Sequence, residues 1–239
     1  MNNTDEVKLR SEQILSRIKS AAARAGRKHE DIKLVAVIKN IPNQLVFQAL
    51  ESGITDIGEN RVQEASERWP AIKARFPKVT SHFIGHLQRN KVGQALDLFD
   101  IIQSIDSGRL IEEIDRRAVK PVPILIEVNT SGEISKFGIE PDKTLELVKF
   151  ASSFEKIQVR GLMTIGPLGR DPRPSFRQLR ELREGITELA LPQVEMQFLS
   201  MGMSDDFEVA IEEGANLVRI GRAIFGRPAD RPKERIKHG

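Results

Sequence analysis

Short apolar runs alternate with helix-patterned segments along most of the chain. Eight runs are rich in Val, Ile and Leu, and they occupy residues 34–38, 54–58, 79–85, 101–104, 122–129, 159–165, 194–200 and 217–220. Nearly continuous apolar runs are typical of parallel strands that are buried on both faces. Strands that alternate with helices indicate an α/β fold, and eight such units predict a single-domain, closed (β/α)8 barrel of the TIM type.

An extra helix is predicted ahead of the first strand, over residues 1–26. Its apolar residues recur at helical spacing and Gly26 marks its end. No long linker rich in Pro, Gly or Ser divides the rest of the chain. We therefore expect residues 1–239 to form one domain that ends in a basic tail, residues 227–239.

Two similar segments, residues 49–58 and 210–221, each contain a helix end, a glycine, a short strand and a second glycine. The first glycine of each segment, Gly53 or Gly214, suits the left-handed position that follows many helices. Any protein with alternating strands and helices repeats this order of elements, so the similarity is better explained by common local structure than by duplication.

Composition excludes several classes of protein. The net charge is +3, and residues 227–239 carry five Lys or Arg against two acidic residues, so this tail accounts for the whole excess. The rest of the chain has no net charge and contains one Trp and no Tyr, so neither charge nor aromatic residues indicate a nucleic-acid surface. The absence of Cys excludes disulfides, zinc–thiolate sites and thiol catalysis. No apolar run is long enough for a membrane helix and no signal peptide is recognisable, so we expect a cytoplasmic protein.

Lys39 directly follows the first apolar run. Barrels of this type carry their active sites at the carboxyl ends of the strands. An amine between apolar walls gives up its proton more readily than usual, as a Schiff-base lysine must. The position also suits a strand-end lysine whose aliphatic stem crosses apolar surface to reach water. Position alone does not decide between these two interpretations.

Glycine-bearing loops follow the last two runs. Ser200 and Gly202 follow the seventh, and Gly221 follows the eighth. Barrels often bind phosphate in the loops after strands seven and eight, where backbone N–H groups are exposed. Two ordinary strand-to-helix turns would have the same composition, so a phosphate site and plain turns remain equally consistent with the sequence.

Arg219 lies inside the last apolar run and therefore needs a buried partner. A core carboxylate such as Glu127 or a bound heterocycle would supply one. His82 and His86 are the only closely spaced histidines, but a predicted strand end and Gly85 separate them, so we expect no metal site. No G-x-S-x-G, P-loop or G-x-G-x-x-G motif is present.

The chain resembles the pyridoxal phosphate homeostasis family, barrel proteins related to the N-terminal domain of alanine racemase. The resemblance runs in order through LVAVIKN, GITDIGENRVQEA, SHFIGHLQRNK, SGEISKFGI, RGLMTIGP and LSMGMSDDFEVAIEEGANLVRIGRAIFG. It implies that Lys39 holds pyridoxal 5'-phosphate (PLP) as an aldimine. It also implies that Arg219 faces the pyridine nitrogen and that Asn60 lines the pocket. The phosphate would be held by Ser200, by the backbone at Gly202 and Gly221, and by residue 222.

The chain departs from the family pattern beside these residues. Ile38 and Asn40 flank the lysine where the family usually has Ser and Thr, and Arg222 replaces a usual hydroxyl. Arg222 would either add a guanidinium to the phosphate site or point away and leave only backbone donors. Lys136 lies in a family-like stretch, and the sequence assigns it no role.

The expected function is that of a PLP carrier or buffer rather than an enzyme. A pyridine nitrogen that faces an arginine stays unprotonated and withdraws electrons weakly. The chain also has no Tyr to act as the second base that alanine racemase uses. PLP and, as recipients, PLP-dependent apoenzymes are the expected partners, and a monomer is expected. The alternatives are a weak amino-acid racemase with His82 or His86 as second base, a Schiff-base aldolase, and an RNA-binding module.

Overall fold

Eight parallel strands close into a barrel in chain order, β1 to β8, with β8 paired to β1. The computed structural model describes residues 3–226. The strands are β1 Lys33–Val37, β2 Asp56–Glu59, β3 Thr80–Phe83, β4 Ile101–Ile105, β5 Val122–Glu127, β6 Ile157–Met163, β7 Val194–Ser200 and β8 Leu217–Ile220. The predicted single-domain barrel is therefore confirmed, while the basic tail predicted at residues 227–239 lies outside the described residues.

Helices follow the strands around the outside of the barrel. They are α1 Asn3–Arg24, α2 Asn43–Glu51, α3 Val62–Arg75, α4 Val92–Leu98, α5 Gly108–Arg117, α6 Thr144–Ala151, α7 Arg173–Thr187, α8 Phe207–Glu212 and α9 Arg222–Phe225. The predicted extra helix is α1, which packs outside the barrel against α2, α8 and α9. Its buried face includes Ile14 and Ile18, and Arg17 pairs with Glu208 of α8 at 2.9 Å.

Several strand boundaries differ from the prediction by one or two residues. β2 begins at Asp56 rather than at residue 54, and β5 ends at Glu127 rather than at residue 129. After β5 the chain turns back, and Val128 pairs with Ile139 in an isolated bridge. The Asn129 amide then bonds the carbonyl of Glu133 at 2.9 Å. These bonds within the loop replace the strand ladder that an apolar run alone would predict.

The barrel interior is filled partly by apolar and partly by polar side chains. Val35, Leu125, Met163, Phe198 and Leu217 form one buried cluster, which is separate from the larger core that includes the helix faces. A group of buried polar residues also contacts one another across the barrel: Asp56, His82, Gln103, Ser200 and Arg219. The interior is therefore a packed core, as is usual in TIM-type barrels. The buried polar residues in it are candidates for a functional role.

Both predicted glycine caps are present. Gly53 and Gly214 follow α2 and α8 with φ angles of +97° and +104°, a region that residues with a Cβ rarely occupy. In the described part of the chain, no helix combines the length and apolarity needed to cross a membrane.

Candidate functional site

Lys39 lies in the turn that follows β1, and its side chain is exposed. Asn40, the next residue, has a φ angle of +55°, which bends the backbone sharply away from the strand. The charge of Lys39 acts favourably on the nearby Glu59 carboxylate. Of the two interpretations that the sequence left open for Lys39, its exposure favours a strand-end lysine whose side chain reaches water, and this lysine has an acidic neighbour.

Glu59 and Arg68 fix the backbone beside this turn. Arg68 of α3 donates a hydrogen bond to the carbonyl of Ile38 at 2.7 Å and lies 3.4 Å from Oε1 of Glu59. Burial raises the pKa of Glu59 to about 7, against the opposing attraction of Arg68. Neither residue is assigned a role from the sequence, although Glu59 is an acid at the end of a buried strand.

Asn60 follows β2 and carries an unsatisfied buried atom. Its Oδ1 is buried and has no hydrogen-bond partner among the residues that the structure describes. Its backbone N–H donates to Oε2 of Glu59 at 3.0 Å, and a Cβ at Gly85 would overlap its backbone. Buried acceptors are nearly always satisfied, so the amide oxygen of Asn60 is suited to a ligand donor.

Ser200 and Arg219 meet inside the barrel. Oγ of Ser200 accepts a hydrogen bond from Nη1 of Arg219 at 2.6 Å and donates to Oε1 of Gln103 at 2.6 Å. Nη2 of Arg219 donates to the carbonyl of Thr164 at 2.7 Å. The single hydroxyl hydrogen of Ser200 is thus bonded to Gln103, and the predicted contact with a phosphate would require that bond to break.

Two carboxylates, Glu127 and Asp206, act electrostatically on Arg219, but Glu127 makes no direct ion pair with it. Burial lowers the pKa of Arg219 to about 10, while the charges of Glu127 and Asp206 act in the opposite direction. No ion pair within 4 Å joins Glu127 to Arg219 in the part of the chain that the structure describes. Burial raises the pKa of Glu127 to about 7, with Arg219 opposing the rise. Glu127 therefore balances Arg219 at a distance, and Ser200 and Thr164 are the direct partners.

The loops after β7 and β8 lie against each other. The carbonyl of Gly202 accepts the N–H of Arg219 at 3.0 Å, and Oγ of Ser204 accepts the N–H of Ala223 at 3.2 Å. Arg222 pairs with Asp205 on the exposed side of these loops. Asp205 therefore holds the guanidinium of Arg222, which was predicted either to reinforce a phosphate site or to point away.

The barrel closure places these loops beside Lys39. Because β8 pairs with β1, Gly221 packs on Val37, and a Cβ at Gly221 would lie 3.1 Å from the Val37 carbonyl oxygen. Only one residue, Ile38, separates Val37 from Lys39. The predicted amine and the predicted glycine loop thus share one end of the barrel, although 181 residues of sequence lie between Lys39 and Gly221.

The two histidines make no metal site. His82 is fully buried, with Nε2 3.0 Å from Asp56 and Nδ1 2.8 Å from Gln103. His86 stacks on Phe137 with ring centroids 4.0 Å apart. Within residues 3–226, no group of three or more His, Asp or Glu side chains is arranged to hold a metal ion.

Lys136, to which the sequence assigned no role, joins two loops at the barrel mouth. Its Nζ donates to the carbonyl of Gly166 at 2.6 Å and to Glu133 at 3.0 Å. It therefore connects the loop after β5 to the loop after β6.

Comparison with known proteins places the chain in a family. The model of the alanine racemase N-terminal domain matches residues 10–228. A pyridoxal phosphate homeostasis protein of Aquifex aeolicus is 42% identical over 226 residues, covering 91% of this chain and 96% of the relative. The chain belongs to the pyridoxal phosphate homeostasis protein family. The human member is 38% identical over 228 residues, covering 88% of this chain and 82% of its own.

Solved structures agree with this family and with its fold. PipY of Synechococcus elongatus, solved with PLP bound, has a TM-score of 0.77 and 33% identity, covering 89% of this chain and all of that one. Alanine racemase of Corynebacterium glutamicum has a TM-score of 0.71 at 15% identity, and the match covers 99% of this chain but 64% of the racemase. At that identity the racemase shares the fold only.

Proposed function

We propose that this protein of the pyridoxal phosphate homeostasis family binds PLP, holds it as an aldimine on Lys39, and acts as a carrier with little or no turnover. The observation that carries the proposal is the closure of β8 on β1, which brings Gly221 to the strand that leads into Lys39. A ligand with both an aldehyde and a phosphate would use the amine and the adjacent loops together. PipY, a family member solved with PLP, supports the choice of ligand.

The residues at the barrel mouth fit PLP chemically. The amine of Lys39 is exposed and can condense with the aldehyde, releasing one water. Oδ1 of Asn60 is a buried acceptor without a partner among the described residues. Gly202 and Gly221 would place backbone next to the phosphate, and Arg219 would face the ring nitrogen. In this assignment Ser200 acts through its bond to Arg219, and Arg222 through its pair with Asp205.

PLP supplies an electron-withdrawing ring when it is bound. Arg219 keeps its positive charge at neutral pH because its pKa, lowered by burial, is still about 10. A guanidinium offers only donors, so it does not protonate the ring nitrogen and the withdrawal stays weak. The arrangement therefore favours storage and exchange of the cofactor over chemistry at an amino-acid substrate.

The racemase alternative loses one of its two histidine candidates. Both ring nitrogens of His82 are hydrogen-bonded inside the barrel, so it cannot reach a substrate proton. His86 is exposed but stacked on Phe137. Glu127 is a further acid–base group, since burial raises its pKa to about 7. Racemisation would appear as deuterium exchange at an amino-acid α-carbon that disappears in Lys39→Ala.

We further propose that the recipients of the cofactor are PLP-dependent apoenzymes, and that the protein acts as a cytoplasmic monomer. An exposed lysine at an open barrel mouth suits exchange with a recipient, because the bond formed there is reversible and accessible to water. Mixing the loaded protein with an apoenzyme, and following recovery of that enzyme's activity, tests this transfer.

Borohydride reduction followed by tryptic mapping tests the attachment. A reduced adduct on Lys39 blocks cleavage there, so the expected product is the single peptide of residues 34–61 carrying a pyridoxyl group. Lys39→Ala should lose the adduct and the yellow colour. Lys120→Ala, which changes an exposed lysine at the opposite end of the barrel, should keep both. A pyridoxyl group on another peptide, or none after soaking with PLP, would refute the proposal.

A further inference from the structure

Five buried side chains form one continuous hydrogen-bonded line across the barrel interior. Arg219 Nη1 lies 2.6 Å from Ser200 Oγ, which lies 2.6 Å from Gln103 Oε1. Gln103 Nε2 lies 2.8 Å from His82 Nδ1, and His82 Nε2 lies 3.0 Å from Asp56 Oδ1. Each of the five is at most 4% exposed. The line starts on β8 and ends on β2.

The direction of each hydrogen bond follows from the two ends of the line together with the orientation of the Gln103 amide, whose Oε1 faces Ser200 and whose Nε2 faces His82. Arginine only donates and a carboxylate only accepts. Ser200 must therefore accept from Arg219 and give its one hydrogen to Gln103. The Gln103 amide then donates to Nδ1 of His82, which leaves the His82 proton on Nε2, bonded to Asp56. With the Gln103 amide in this orientation, the tautomer of His82 that satisfies both neighbours carries its proton on Nε2.

The line has a positive group, Arg219, at one end and a negative group, Asp56, at the other. Burial works against ionisation of Asp56, but hydrogen bonds from His82 and Thr55 and the charge of Lys33 hold the pKa of Asp56 below its usual value. Arg219 and Asp56 thus remain oppositely charged at the two ends, and the dipoles between them all point the same way. Breaking any link leaves buried polar atoms unsatisfied, so each link restrains the next.

We propose that Gln103 and His82 are positioning residues that hold the Arg219 guanidinium in the orientation in which it meets the bound cofactor. The inference rests on the proposed function, because it requires a ligand ring at Arg219. Neither residue touches that ligand. Gln103 supplies the acceptor that orients Ser200. Ser200 and the carbonyl of Thr164 then each hold one terminal nitrogen of the Arg219 guanidinium. His82 keeps the amide of Gln103 from turning over.

Substitution of Gln103 separates this role from a merely structural one. Gln103→Met keeps the side-chain volume but removes the acceptor for the Ser200 hydroxyl, so Ser200 no longer holds Arg219 in one orientation. We expect the Kd for PLP to rise about tenfold and the absorption spectrum of the bound cofactor to change. Gln103→Glu keeps an acceptor for Ser200 and should bind PLP within about threefold of the unaltered protein. Ile102→Val, on the same strand and equally buried but outside the line, is the control.

A second measurement needs no cofactor. Nitrogen-15 NMR of the PLP-free protein should show His82 neutral with its proton on Nε2, and in Gln103→Glu it should show a second proton on Nδ1. A proton on Nδ1 of the unaltered protein would overturn the inference even if Gln103→Met failed to fold. Equal PLP affinity and spectrum in Gln103→Met and Ile102→Val would also overturn it. If the unaltered protein binds no PLP, the proposed function fails and this inference fails with it.

Discussion

At the scale of single residues, the site combines side chains that are tightly held with others that have spare bonding capacity. Arg68 locks the carbonyl of Ile38 just before Lys39, whereas the amine of Lys39 is exposed. The backbone of Asn60 is fixed by Glu59, whereas Oδ1 of Asn60 is buried with no partner among the described residues. A ligand entering here gains bonds without breaking any at these two positions.

Asn60→Ala tests the unsatisfied acceptor. Because the side-chain oxygen has no partner among the described residues, its removal should change the free energy of unfolding by no more than about 0.5 kcal/mol. The Kd for PLP should rise about tenfold, since one buried hydrogen bond to the ligand is lost. Absorbance titration and urea denaturation measure the two effects. Asn90→Ala, at an exposed position, should alter neither, and unchanged affinity in Asn60→Ala would contradict the assignment.

The site residues that could be predicted from sequence were those whose position next to an apolar run marks the end of a strand. Lys39, Asn60, Gly202 and Gly221 each lie one or two positions after the end of a strand, which an apolar run already marks. Gln103 was not selected because a single glutamine in a buried strand has no periodic signal. Its partner, Ser200, is 97 residues away in the chain.

At the scale of elements, the loops after β7 and β8 behave as a unit. The backbone N–H of Arg219 bonds the carbonyl of Gly202 and the backbone N–H of Ala223 bonds the hydroxyl of Ser204. Arg222 and Asp205 pair at the surface. The surface pair is exposed and contributes little to stability. These two hydrogen bonds, together with the packing of Gly202 on α8, set the shape of the proposed phosphate site.

Gly202→Ala tests the packing of this unit. A Cβ there would lie 2.6 Å from the Cβ of Ala210 and 2.8 Å from the Cα of Phe207, at a φ angle of +94°. We expect a loss of roughly 2–5 kcal/mol in the free energy of unfolding, from overpacking and backbone strain together.

Gly169→Ala is the matched control for this substitution. Gly169 has a φ angle of +70° but no atom within 4 Å of its added Cβ, so only the strain of about 1–2 kcal/mol should appear. Urea denaturation compares the two variants. Equal losses would mean that contact with α8 does not matter.

At the scale of the whole molecule, two buried acidic groups at the barrel mouth lower the stability of the fold as the pH rises. Burial raises the pKa values of both Glu59 and Glu127 to about 7, from a usual 4.5. Below pH 4.5 these groups are protonated in both the folded and the unfolded chain. Between pH 4.5 and 7 the unfolded chain ionises first, so folding becomes less favourable as the pH rises. Above pH 7 the cost is constant.

Glu127→Gln removes this pH-dependent cost at one position. A shift of about 2.5 pKa units corresponds to about 3 kcal/mol at pH 8. The free energy of unfolding of the variant, relative to the unaltered protein, should therefore rise by about this amount between pH 4.5 and pH 8 in urea denaturation. Glu155→Gln, at an exposed position, should show no such trend. A difference that is equal at both pH values would contradict the burial argument.

The sequence by itself determined the eight strands, the helix α1, the glycine caps, and the placement of Lys39 and the glycine loops at strand ends. These features are local, because hydrophobic periodicity and turn chemistry act over a few neighbouring residues. Only the tertiary structure decided that Gly221 packs beside the strand of Lys39 and that Arg219 bonds Ser200 rather than Glu127. A buried polar side chain must find its partner on whichever strand the closure of the barrel places opposite, and that partner is set by the register of distant strands.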